Sequence, residues 1–141
     1  MFVLHGGSRD AESARNNMIS KSIEYNFIVI APKFSSDDFP LGDGYNLGNV
    51  YEDGDNPSPE TLNDEEDWAF SIIEPIFDSV KNSLLINEEK YHMLGFSAGA
   101  QFVHRYLLFK PNARFDKVVS AAAGWYTVPD FIIPFPYGYN N

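Results

Sequence analysis

Residues 95–99 read Gly-Phe-Ser-Ala-Gly, set between an apolar run at Tyr91–Phe96 and a helical pattern at Ala98–Phe109. A strand that must turn directly into a helix around one serine leaves few folds open. Such a turn holds Ser97 in a strained backbone conformation and pushes its hydroxyl outward. The chain doubles back so tightly that side chains two positions away on either side would clash, which explains Gly95 and Gly99. The helix beginning at Ala98 places partial positive charge beside the serine oxygen. An ordinary turn with a capping serine is the plainer alternative, and the strand-to-helix context argues against it.

The rest of the chain alternates in the same way. Phe2–Leu4 is a short apolar run halted by His5-Gly6-Gly7, and Phe27–Ala31 is a second buried strand rich in β-branched residues and ended by Pro32. Between them, Asp10–Tyr25 carries Ala14, Met18, Ile19 and Ile23 on one stripe, which predicts an amphipathic helix. Residues 35–62 have no periodicity and many Gly and Pro, so they form a loop whose length suggests that it shapes a crevice. Asn63 is a candidate N-cap for a helix carrying Trp68, Ile72, Ile76, Val80 and Leu84, with Pro75 as a kink or break. Val118–Ala123 is a fourth strand, followed by an aromatic, proline-rich tail from Gly124. This order predicts an α/β protein with a three-layer arrangement, a mostly parallel sheet with helices on both faces, in one domain over residues 1–141.

Charge narrows the function. The net charge is −10, and from Phe34 to Val80 there is acid but no Lys or Arg. A nucleic-acid partner needs a cationic footprint, so that class is excluded, and an anionic membrane surface would repel the chain too. The acidic stretch reads as a solvated face that aids solubility. There are 0 cysteines, which excludes disulfides, thiolate metal sites and cysteine nucleophiles. No stretch approaches the roughly 20 apolar residues of a membrane span, and Met1–Gly7 does not look like a signal peptide. The compartment stays open.

His5-Gly6-Gly7-Ser8 follows the first strand. Glycines there let backbone amides approach a substrate and, with the N–H after the nucleophile, form an oxyanion hole. A plain tight turn is the alternative.

Taken together, His5-Gly6-Gly7, Gly95-Phe96-Ser97-Ala98-Gly99 and the run Ala121-Ala122-Ala123-Gly124-Trp125 resemble the α/β-hydrolase superfamily, in particular esterases of the polyhydroxybutyrate-depolymerase type. The resemblance spans nearly the whole chain but implies only the third to sixth strands of an eight-stranded sheet, a partial α/β-hydrolase fold and a single incomplete domain. It implies that the third and fifth strands are neighbours, so that the glycine loop meets the serine turn at a topological switch point. It further implies Ser97 as nucleophile, with the Ala98 N–H and that of Gly7 or Ser8 as oxyanion donors, and neither cofactor nor metal. The expected partner is a small-molecule or polymeric ester substrate.

The same resemblance places the catalytic acid and histidine after strands that this chain does not contain. Local substitutes are poor. His5 belongs to the glycine loop, His92 lies within a strand expected to be buried, and His104 sits about 10 Å along the following helix. Asp130 could stand in for the acid. Asp53, Asp55 and Glu60 could bind calcium, but their spacing does not match an EF-hand loop and an exposed acidic loop fits better. The expectation is a serine carboxylic-ester hydrolase working through an acyl-enzyme. The alternatives are a catalytically inert truncated or degenerate hydrolase fold, or a peptidase or thioesterase on the same scaffold.

Overall fold

Residues 91–96 alternate between buried and more exposed side chains on the pleat, whereas residues 2–4 are all buried. In a computed structural model describing residues 1–140, β1 (Phe2–Leu4), β2 (Tyr91–Phe96) and β3 (Phe115–Ala121) make one parallel sheet in the order β1-β2-β3. Phe2 pairs with Met93 and Leu4 with Gly95, while Gly95 pairs with Ser120 and Phe96 with Ala121. β2 is therefore central, and both neighbours end level with the turn at Ser97.

The expected strand at Phe27–Ala31 contracts to one bridge. Ile30 pairs with Phe2, exchanging Val3 N–H to Ile30 O (2.8 Å) and Ile30 N–H to Met1 O (2.9 Å). Its position still gives the lateral order Ile30 segment, β1, β2, β3. The fourth strand also starts and ends earlier than expected, at 115–121 rather than 118–123. Asp116 and Lys117 look wrong for a strand, but both are exposed and fall at a register shift, where the two of them lie opposite the single residue His92 between the pairs Tyr91–Phe115 and Met93–Val118.

Helices flank the sheet. The pattern at 10–25 forms α1 (Ala11–Asn16) and α2 (Ile19–Tyr25), separated at Asn17–Met18. Asp10 caps α1 by accepting the Ser13 N–H at 2.9 Å. Asn63 does not cap a helix, and 3-10 turns at Glu65–Asp67 and Ala69–Ile72 precede α3 (Ile73–Leu84). Tertiary partners claim Asn63 instead: its side chain donates to Asn49 O and its carbonyl accepts the Trp68 indole N–H, each at 3.0 Å. Pro75 falls in the first turn of α3, where a backbone N–H would lack an intrahelical partner anyway. The helix α4 runs Ala98–Phe109, directly from the serine.

Phe2, Leu4, Tyr91 and Met93 point to one face and join Phe34, Tyr45, Phe70, Phe77, Phe102 and Tyr106 in the core. Val3, Leu94 and Phe96 point to the other, where Ala14 and Met18 lie beside them. This is the expected partial α/β arrangement with helices on both faces. No helix among the described residues is long and apolar enough to cross a membrane.

One part-buried polar network ties the lower end of the core together. Tyr91 Oη donates to Glu74 Oε1 at 2.5 Å and lies 2.6 Å from Tyr106 Oη. Arg114 donates its backbone N–H to Glu74 Oε1 (2.9 Å) and its Nε to Oε2 (2.5 Å). Burial alone would push the Glu74 carboxyl up, but these hydrogen bonds and the Arg114 charge hold it below its ordinary 4.5. A depressed carboxyl stabilises the fold above pH 4.5, and that contribution disappears as pH falls through the lower folded value. Glu74→Gln is therefore expected to cost about 2 kcal/mol at pH 7. Urea denaturation at pH 7 and at pH 3 checks this, and the deficit should shrink at the lower pH.

Candidate active site

Ser97 is the residue between the last residue of β2 and the first of α4. Its backbone takes φ 55° and ψ −118°, a conformation that L side chains adopt only when the surroundings enforce it. The enforcement is visible. The Ser97 N–H donates to Ala121 O at the end of β3 (3.0 Å), and Gln101 N–H closes the first helical turn onto Ser97 O (3.1 Å).

The two glycines are obligatory for packing. A Cβ on Gly95 would stand 2.1 Å from Gly99 O, and one on Gly99 would stand 2.3 Å from Leu4 O. Three backbones thus meet at the turn with no room for a methyl group. Close approach continues across the sheet: a Cβ on Gly6 would lie 3.7 Å from the Ser97 Cβ, so the glycine loop does sit against the serine. A cavity of about 490 Å³ opens here, bounded by His5, Gly6, Gly7, Ser8 and Ser97 and extending down the sheet past Leu94 and Phe96. Among the described residues, Asp10 is its only charged lining side chain.

Gly7 and Ser8 form the middle of a turn closed by Arg9 N–H to Gly6 O at 3.1 Å. Both are exposed at the cavity mouth, and nothing stands within 4 Å of a Cβ placed on Gly7. Across from them, Ala98 starts α4, where the first amides have no intrahelical acceptor.

Residues that a local sequence reading does not single out hold this loop in place. Arg9, itself at φ 60°, donates from Nη1 to Phe34 O (3.0 Å) and from Nη2 to Leu41 O (2.6 Å). Its guanidinium lies 4.5 Å from the centre of the Tyr45 ring, and Tyr45 Oη donates to His5 O at 2.7 Å. The long loop expected to shape a crevice therefore braces the glycine turn from beneath. It also walls a second cavity, where Gly7 and Arg9 face Ser36, Leu41 and Asn46. The only signal available in the sequence was the length of that loop.

The histidines divide cleanly. His5 is buried, accepts the Phe34 N–H at Nε2 (3.1 Å) and contacts Gly6 O through Nδ1 (3.0 Å), so both ring nitrogens are engaged. Burial lowers its pKa below 6.5. His104 is likewise buried, with Nδ1 at 3.1 Å from Ala100 O and Nε2 accepting the Thr127 N–H at 3.0 Å. His92 corrects the expectation that its strand is covered on both faces: its ring is exposed, 3.6 Å from Asp116. Asp130 spends Oδ1 on the Ile132 N–H at 2.7 Å. The Asp53 carboxylate accepts the amides of Asp55 and Asn56, a turn-forming role.

Comparison with solved structures adds to this geometry. Poly(aspartic acid) hydrolase-1 from Sphingomonas sp. KT-1 matches 99% of this chain and 51% of its own, at 40% identity and a TM-score of 0.87. LpqC, a poly(3-hydroxybutyrate) depolymerase from Bordetella parapertussis, matches 97% of this chain and 45% of its own, at 30% identity and a TM-score of 0.85. The chain resembles polyhydroxybutyrate-depolymerase-like hydrolases. This depolymerase-like chain spans about half the length of each of these two proteins. Neither family models nor curated proteins give a match to it.

Proposed function

We propose that the depolymerase-like chain carries the nucleophile and the oxyanion-binding loop of a serine hydrolase acting on carboxylic esters. The observation that carries this is the strained Ser97 turn in contact with Gly6. Ser97 Oγ attacks the ester carbonyl carbon, and the carbonyl oxygen becomes an oxyanion facing the Ala98 N–H and that of Gly7 or Ser8. The alcohol leaves, an acyl-Ser97 ester remains, and water releases the acid. Each donor in such a hole is worth about 3 kcal/mol to the transition state.

The Ser97 proton needs an acceptor. His5 and His104 have both ring nitrogens engaged in holding loops, and His92 projects from a strand five residues before the serine. In this reading the base and its acid partner come from outside the 141 residues. The two similar proteins are, by name, hydrolases of polymers, which supports hydrolysis in general and a polymeric substrate as one option.

A fluorophosphonate probe tests the nucleophile directly. In the protein carrying the remainder of the fold, Ser97 should gain the phosphonyl mass at one equivalent, and Ser97→Ala should lose both the label and ester cleavage. Retained ester cleavage in Ser97→Ala would overturn the assignment. The engaged histidines favour a second reading, in which the 141-residue chain alone is catalytically inert. Rapid stoichiometric labelling of that chain would sink it. Poly(aspartic acid) is joined by amide bonds, so a panel of matched ester, thioester and amide substrates decides the bond type. A clear amide preference would displace the ester.

A further inference from the structure

Three polar residues of α4 lie on one face of the helix at spacings of three and four, and all three hold the chain that follows β3. Gln101 donates from Nε2 to Ala123 O at 2.7 Å, and Arg105 donates from Nε to Thr127 Oγ1 at 2.9 Å. Between them, His104 accepts the Thr127 N–H. Thr127 Oγ1 then donates to Pro136 O at 2.5 Å, which ties residue 127 to the far end of the aromatic segment, where Phe135 is separately anchored in the core against Tyr51 and Phe109.

The His104 ring is committed in one protonation state. With Nε2 accepting, its single proton belongs on Nδ1 and points at Ala100 O. A second proton on Nε2 would face the Thr127 N–H, turning a hydrogen bond into a donor–donor contact. Burial and the neighbouring Arg105 charge oppose that proton, and the Ala100 carbonyl only partly offsets them. Arg105 of the same helix is fully buried with its guanidinium 4.2 Å from the Trp125 ring, and its Nη2 has no hydrogen-bond partner. From the tail comes the Tyr126 ring, 5.0 Å from the His104 ring, with Tyr137 acting on Arg105. From β3 comes only the Ser120 hydroxyl, which donates to the same Ala100 carbonyl at 2.9 Å. Among the described residues no carboxylate pairs with His104.

We propose that His104 is a proton-operated latch: neutral, it holds Thr127 against α4, and protonated, it lets the backbone at Thr127 detach while Phe135 stays anchored in the core. The segment begins two residues after Ala121, whose carbonyl takes the Ser97 N–H. Gln101, bonded to Ala123, also accepts from Asn46 Nδ2 at 2.8 Å and so joins the segment to the long loop. The latch stands on the packing of α4 and does not require Ser97 to be a nucleophile.

Burial, and secondarily the Arg105 charge, lower His104 from 6.5 to about 4 in the latched state. A histidine lowered in this way favours the latched state fully above pH 6.5, and the preference erodes as pH falls toward 4. That gap weakens the latch on the order of 100-fold by pH 4.

Hydrogen exchange of the 141-residue chain, followed by NMR between pH 7.5 and pH 4, reads this at one amide. Protection of the Thr127 amide should fall on the order of 100-fold while Met93 and Leu94 in β2 keep theirs. In His104→Gln, which retains an acceptor but cannot titrate, Thr127 protection should not change with pH. Should that variant fail to fold, the ring carbon shift of His104 in the unaltered chain supplies the reading, with an expected midpoint near pH 4. A midpoint at the ordinary 6.5, simultaneous loss of protection in β2, or the same pH dependence in His104→Gln would each overturn the latch.

Discussion

Gly95→Ala is expected to cost more than about 4 kcal/mol, or to prevent folding at 37 °C altogether, although it adds one methyl group. The added carbon would stand 2.1 Å from Gly99 O, 2.4 Å from Gly99 C and 2.7 Å from Ala100 N. Relief by a side-chain rotation is not possible, because all three neighbours are backbone. Nor can Gly99 retreat, since its own Cβ position is already 2.3 Å from Leu4 O and 2.6 Å from His5 O. The methyl must therefore pry α4 from β2, or β2 from β1, and either movement breaks the parallel register and the Ser97 turn together. Ordinary overpacking costs about 1–3 kcal/mol because side chains give way, and here nothing flexible is available. Gly7→Ala is the control: with nothing within 4 Å it should change stability by less than about 0.5 kcal/mol. Thermal melts of the pair separate the cases, since a 4 kcal/mol loss in a chain of this size lowers Tm by roughly 10 °C or more. A Gly95→Ala melt within 2 or so degrees of the unaltered chain, about 0.5 kcal/mol, would show that the three backbones do not meet.

The features legible in the sequence are those decided by neighbours a few residues apart. The turn at Ser97, the short β1 and the full length of α4 follow from local apolar runs, glycine spacing and a helix start. Where the deciding partner is distant, the local pattern misleads. Phe27–Ala31 has strand composition, but its partner is the chain start, which offers only the bridge at Phe2–Ile30 and the Met1 amine to Ile28 O (2.6 Å), too little for a full strand. Asp116 and Lys117 carry charge at an exposed register shift, and charge there is no obstacle to a strand. Asn63 has the chemistry of a cap but is used by Asn49 and Trp68.

The site divides along the same line. The serine, its two glycines and the His-Gly-Gly turn are visible as a pattern. Their bracing by Arg9 and Tyr45 rests on contacts 25 to 40 residues apart that no local period encodes. Arg105 is a harder case. An arginine in a helix ordinarily keeps its charged head in water, yet this one is fully buried, stacked on Trp125 and pulled down to about 9 by burial. Neither the helical period of Ala98–Phe109 nor the composition of the tail after Gly124 identifies it.

Phe102→Ala should be the most costly core truncation at the site, about 3–5 kcal/mol. Phe102 is fully buried one turn along α4 from the serine, and its ring lies 4.9 Å from Phe70, 5.1 Å from Phe34, 5.5 Å from Tyr45 and 6.3 Å from Tyr106. Those four rings come from separate parts of the chain, so no single element can shift to fill the space. The cost reaches beyond stability. Tyr45 and Phe34 support the glycine turn, through Tyr45 Oη to His5 O and Phe34 N–H to His5 Nε2. A cavity beneath them frees the turn that brings Gly6 against Ser97. Fluorophosphonate labelling of Ser97 should therefore slow in Phe102→Ala even at temperatures where the variant is folded, whereas Phe102→Leu should lose about 1–2 kcal/mol and label at nearly the original rate. Phe96→Ala separates burial from proximity: that ring is adjacent to the serine but 62% exposed, and its loss should change stability by less than about 1 kcal/mol. If urea denaturation gave Phe102→Ala and Phe96→Ala equal costs, the ring cluster would not be what holds α4 to the loop beneath it.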